Sequence, residues 1–101
     1  MKGVAQWMVP PDHPAFAGHF PGTPILPGVV LLDAVLQSIT AATGIELGTC
    51  EIGAVKFLHP ASPGDRLDIR YEFATSGAIR FDIAAGTRKI ASGSIVPRFP
   101  A

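Results

Sequence analysis

Cysteine is almost missing from the chain: Cys50 stands alone in 101 residues. No internal disulfide can form, and no second thiol stands at a metal-ligand spacing. A reducing compartment, the cytoplasm, is therefore expected. Charge is scarce and balanced, with 8 lysines and arginines against 8 aspartates and glutamates. The basic residues are scattered, so no field of one sign draws the chain to nucleic acid or to an acidic membrane face. Long apolar runs are missing too. The longest, Val29 to Ala42, is shorter than the roughly 18 residues of a membrane span and holds Asp33 and Gln37. The opening "MKGVAQWMVPP" has no apolar segment of signal-peptide length, so neither export nor membrane insertion is expected. With no repeats, low-complexity tracts or linker-like change of composition, residues 1–101 read as one domain.

What is present is hydrophobic. Apolar residues make up 48% of the chain and charged ones 16%, which argues against disorder and for some apolar surface covered by another subunit or a greasy ligand. A chain of this length builds a core with little margin, so association would help it.

A first strand is expected at Gly3 to Val9, stopped by Pro10 and Pro11. The following "DHPAFAGHFPGTPILPG" is too rich in proline and glycine for regular structure, and long ordered loops in small domains are often functional. A helix is expected from Pro27, suited to a first turn, to Gly44, suited to a helix end. It is apolar nearly all round, as in a helix covered on most sides by a sheet. Asp33, Gln37 and Thr40 form one polar line along it. The period then changes to two. "RLDIRYEF" and "IRFDI" alternate apolar and polar residues, and "TSG" and "AGT" supply turns, so an antiparallel meander is the economical connection. Further strands are expected at Glu51 to His59 and at Arg88 to Val96, before Pro97. The sum is an α+β fold in which a four- or five-stranded antiparallel sheet curls around one long central helix.

Chemistry concentrates around "HFPGTPILPG", His19 to Gly28. Its three prolines push Phe20, Thr23 and Leu26 toward extended geometry and leave the loop few conformations. His19 before it is a candidate base, since a histidine transfers protons near neutral pH. Gly28 stands at the helix start, where free N–H groups and partial positive charge suit a carbonyl oxygen gaining negative charge. Asp33 is a candidate acid, because burial on an apolar helix would raise a carboxyl pKa and let it donate. Gln37, one turn on, can orient that carboxyl or simply touch it along the helix surface. Plainer readings compete on the residues alone: His19 bonded to backbone, and Asp33 paired with Arg66 or Lys56. His13 and His59 compete for the base role, His13 as an exposed or entrance residue, His59 as a structural residue or a channel lining. Cys50 reads as a small, half-buried residue with no role.

The string "GHFPGTPILPGVVLLDAVLQ" resembles the signature of the β-hydroxyacyl-acyl-carrier-protein dehydratases, a hot-dog-fold family. It carries the His-Phe-Pro-Gly entry, the Pro-x-x-Pro-Gly-Val helix start, an acidic residue 14 positions after the histidine and a glutamine four positions later. Downstream, "VKFLHPASPGDRLDI" resembles the family's strand, Pro-Gly-Asp turn and next strand, so the likeness covers residues 16 to 96. It implies His19 as catalytic histidine, Asp33 as catalytic carboxylate and Gly28 as the residue whose N–H holds the thioester carbonyl. Phe20, Pro27 and Gln37 join Gly28 as substrate contacts. Two departures stand out. The chain combines a FabZ-like His-Phe-Pro-Gly with a FabA-like aspartate, and it has only 18 residues before His19. The second places it beside small stand-alone dehydratases of specialised pathways, of the aryl-polyene type.

The implied reaction is elimination of water from a 3-hydroxyacyl thioester to a trans-2-enoyl thioester, with no cofactor and no metal. The acyl group would ride on acyl-carrier protein or coenzyme A. In this family a site takes its histidine and carboxylate from different subunits, which implies a homodimer or a larger assembly. Two alternatives share the fold: an acyl thioesterase, and a non-catalytic acyl-binding or dimerisation module.

Overall fold

A computed structural model describes residues 1–14, 25–47 and 49–98. In chain order its elements are β1 (Lys2–Met8), α1 (Gly28–Thr43), β2 (Thr49–Phe57), β3 (Arg66–Phe73), β4 (Ile79–Ala85) and β5 (Arg88–Arg98). All five expected strands and the helix are present, and the α+β expectation holds. The helix begins at Gly28, with Pro27 as its cap at φ −59° and ψ 144°. It ends where expected. Gly44 adopts φ 75°, a conformation that only a residue without Cβ takes cheaply, and its N–H donates to the Thr40 carbonyl at 2.8 Å.

The sheet order is β1-β3-β4-β5-β2, and every pairing is antiparallel. Strands β3, β4 and β5 form the expected meander. The β4–β5 turn is only Gly86 and Thr87, since Ala85 pairs with Arg88, and Gly86 sits at φ 62°. Strand β2 lies outside that meander: residues 58–65 carry the chain from the β5 edge back to β3, which lies beside β1.

Alternation decides which face is buried. Leu67, Ile69 and Tyr71 of β3 point inward, as do Ile79, Phe81 and Ile83 of β4. They meet Leu31, Val35 and Ile39, spaced one turn apart on α1, in a single apolar cluster. Each fully buried side chain of this kind contributes roughly 1.5–3 kcal/mol of transfer free energy.

Two expectations need correction. Pro97 does not stop β5, which runs to Arg98 with Pro97 opposite Cys50 of β2. Strand β4 begins only at Ile79, opposite Ile95, so it leaves the far side of β5 unpaired at Pro97, where a missing N–H is tolerated. Nor is α1 covered on most sides. Val29, Asp33, Gln37 and Ala41, four residues apart, form an exposed stripe, and Val29 is 75% exposed.

Candidate active site

The start of α1 is built against the end of β2. A Cβ placed on Gly28 would lie 2.7 Å from Cζ of Phe57, so only glycine lets that ring close over the helix start. As the first helical residue, Gly28 has no acceptor for its N–H within the helix. No acidic side chain stands in the first turn to neutralise the partial positive charge there. Gly28 and Pro27 line a hollow of about 420 Å³ with Leu26, Leu31, Phe57 and His59.

Asp33 points elsewhere. Five residues beyond Gly28, at about 100° per residue, it lies about 140° around the helix axis. It lines a different hollow, of about 570 Å³, between β1 and α1, together with Trp7, His13, Gln37 and Ser38. The amide Nε2 of Gln37 donates to Asp33 Oδ2 at 2.7 Å. The bond occupies one carboxylate oxygen and fits both the orienting reading of Gln37 and a plain contact along the helix surface; among the described residues no hydrogen bond reaches Oδ1. Thr40 continues the polar line, beside Gln37 on a further surface hollow.

The burial expected for Asp33 is not found. Its side of the helix is the one the sheet leaves open, and the residue is exposed. The alternative ion pairs are not found either. Among the described residues an ion pair joins Arg88 to Asp65 at 2.6 Å, and it takes in neither Asp33 nor Arg66 nor Lys56.

His19 and Phe20 lie outside the described residues. His13, read as an exposed or entrance residue, lines the hollow that holds Asp33 and Gln37. His59 stands two residues past the end of β2, with Nδ1 2.7 Å from the Lys89 carbonyl oxygen, and lines the hollow at the helix start. The bond to Lys89 fits its structural reading, and its place in the wall of that hollow is compatible with the channel reading. Cys50 is half-buried, its thiol 3.5 Å from the Leu47 carbonyl oxygen, and burial pushes that thiol above its ordinary pKa. That suits the reading of Cys50 as inert. Among the described residues no three His, Cys, Asp or Glu side chains gather as a metal ion would require. No helix is long and apolar enough to cross a membrane.

Sequence reasoning missed Phe57. It read "VKF" as part of a strand, and the meeting of that strand's end with Gly28 is a long-range contact. The one local signal was the glycine itself, at a position where a helix would otherwise favour a side chain.

A family model described as ApeI dehydratase, ApeI-like, matches residues 2–94. The chain belongs to the ApeI-like dehydratase family. Among curated relatives, the 3-hydroxyacyl-acyl-carrier-protein dehydratase FabZ of Chlamydia trachomatis serovar L2 is 36% identical over 105 residues, which span 91% of this chain and 69% of that protein. Among solved structures, the dehydratase heterocomplex ApeI:P from Xenorhabdus doucetiae aligns with a TM-score of 0.78 and 28% identity, covering 96% of this chain and 88% of that one. A trans-AT polyketide synthase dehydratase domain from Brevibacillus brevis aligns at 0.76 over 99% of this chain and 40% of that one; at 15% identity it speaks for the fold alone. The same holds for the fluoroacetyl-CoA thioesterase FlK, at 0.66 and 18% identity, covering 94% of this chain and 88% of that one. The expected hot-dog fold, dehydratase family and enzyme class are borne out, and the ApeI-like match agrees with the aryl-polyene-type placement.

Proposed function

We propose that the protein eliminates water from a 3-hydroxyacyl thioester carried by acyl-carrier protein or coenzyme A, in a site shared between two copies. His19 takes the α-proton. The electron pair of that C–H bond flows toward the thioester, whose oxygen the Gly28 N–H and the helix start stabilise. As the Cα–Cβ double bond forms, the C3–O bond breaks and Asp33 Oδ1 delivers a proton to the departing hydroxyl, giving water and the enoyl thioester. The proton held by His19 and the one lost by Asp33 are exchanged with solvent before the next turnover.

The observation that carries this reading is the Gln37–Asp33 hydrogen bond, which engages Oδ2 and leaves Oδ1 without a hydrogen bond among the described residues. It sits on the motif positions where the family resemblance puts the acid. The sharing of sites is supported by Gly28 and Asp33 lining different hollows on different sides of one helix. A single α1 does not offer both to one substrate, whereas two helices facing each other do. Strand β2 supports it as well. It is nine residues long, it forms one edge of the sheet, and it exposes Ile52 and Phe57. An edge of that kind is a template for pairing. A second copy is the occupant proposed; the ApeI:P heterocomplex makes a related second chain the other outcome. A lone half-buried thiol with no second cysteine to pair with supports a reducing compartment, the cytoplasm.

The test is direct. Purified protein is incubated with 3-hydroxyacyl thioesters, and products are identified by mass. Enoyl thioester with the sulfur bond intact supports the reading; release of free thiol supports a thioesterase; neither product supports a binding module. The His19→Ala variant should lose at least about a hundredfold in kcat, the usual share of a general base.

A further inference from the structure

The hollow at the helix start is apolar apart from one group. Leu26, Leu31, Phe57 and Leu58 make up much of its wall, and His59 is the one polar side chain among the described residues lining it. That histidine is held in place. The N–H groups of Leu58 and His59 both donate to the Ile90 carbonyl oxygen, at 2.8 and 3.2 Å, which ties the segment to the start of β5. The ring is tied separately, through Nδ1 to the Lys89 carbonyl oxygen at 2.7 Å. A carbonyl oxygen only accepts, so Nδ1 must carry the proton. In the tautomer with its one proton on Nδ1, Nε2 on the opposite edge is an acceptor.

We infer that this hollow receives the pantetheine arm of the thioester and that His59 Nε2 accepts a hydrogen bond from an amide N–H of that arm. The inference rests on the dehydratase reading, which puts the thioester carbonyl at Gly28 in the wall of the same hollow. From that carbonyl the substrate runs two ways. The acyl side, beyond the 3-hydroxyl that an Asp33 carboxylate must reach, is hydrocarbon. The sulfur side carries a chain of methylene groups interrupted by amides. Hydrocarbon needs no hydrogen-bonding wall, whereas a buried amide without a partner is costly. An apolar trough with one fixed acceptor fits the second chain and not the first. Coenzyme A and the acyl-carrier protein present the same arm, so His59 selects for the arm and not for its source.

The experiment compares two esters of the same 3-hydroxyacyl group: the pantetheine thioester, and the ethanethiol thioester, which has no amide. The parent should prefer the pantetheine ester in kcat/KM. His59→Ala should shrink that preference about tenfold, the size of one hydrogen bond, through KM and not kcat. Free pantetheine should inhibit the parent competitively and inhibit His59→Ala more weakly by a similar factor. His59→Gln, which restores an acceptor, should recover most of the preference. Equal losses on both esters, or an unchanged preference in His59→Ala, would overturn the inference while leaving the dehydratase reading intact. A parent inert toward both esters overturns both. Coenzyme A and carrier-protein thioesters, run alongside, should show the same KM change; a change confined to one of them would contradict recognition of the shared arm.

Discussion

Strands β4 and β2 have similar lengths and opposite fates. β4 has a neighbour on each side and buries Ile79, Phe81 and Ile83 almost completely. β2 has one neighbour, and Ile52 and Phe57 are each more than half exposed. The first strand is finished by its own chain. The second carries apolar side chains that its own chain does not cover, and it ends against Gly28, where the proposed chemistry begins. In the proposed account stability and function fall on different strands: the meander holds the fold, and the edge borders the proposed site.

Breaking the finished side should cost the most. Phe81→Ala leaves a cavity in the middle of the cluster and should destabilise the protein by about 3–5 kcal/mol, read by chemical denaturation. The matching truncation on the edge, Phe57→Ala, should change the folding stability of the single chain by less than about 1 kcal/mol while impairing activity. Equal stability losses would abolish the contrast between the strands.

Next in size is a charge on the edge. Ile52→Lys puts an ammonium where a second copy's β2 is proposed to pair, and at dilute concentration it should give a folded monomer with activity down at least about a hundredfold. Light scattering reads the mass, and circular dichroism reads the fold. A monomer with full activity would separate catalysis from assembly and refute the shared site.

A smaller change tests the carboxylate hollow. Gln37→Leu removes the hydrogen bond to Asp33 Oδ2 and should lower kcat about tenfold with KM little altered, since the lost interaction orients an acid and does not hold the acyl group. A KM effect alone would mean that Gln37 binds substrate directly.

The same contrast explains what could be read from the residues. Strands β3 and β4 were legible because Leu67 to Phe73 and Ile79 to Ile83 alternate over one buried face, a local pattern. The helix end was legible because Gly44 is a local signal. The position of β2 was not: "TCEIGAVKF" pairs with β5 through a bulge between Ile52 and Val55, across some forty residues of chain. Pro97 misled for a related reason, since whether a proline ends a strand depends on where its neighbour begins. At the site, Asp33 and Gln37 were legible from helical spacing and Gly28 from the motif. The exposure of Asp33 was not, because an apolar helix reads as buried whether its cover comes from its own sheet or from another subunit. The hollow formed by Phe57, His59 and Gly28 joins segments thirty residues apart, and no local pattern announces it.

The central claim is that each site draws Gly28 and His19 from one copy and Asp33 from another. Mixing two inactive variants tests it. His19→Ala and Asp33→Ala proteins are each assayed alone, then unfolded together, refolded and assayed as a mixture. Half of randomly formed dimers contain one copy of each, and each of these has one intact site of two, so about a quarter of parental activity should return. A mixture as inactive as its components would show that His19 works with the Asp33 of its own chain and would contradict the account.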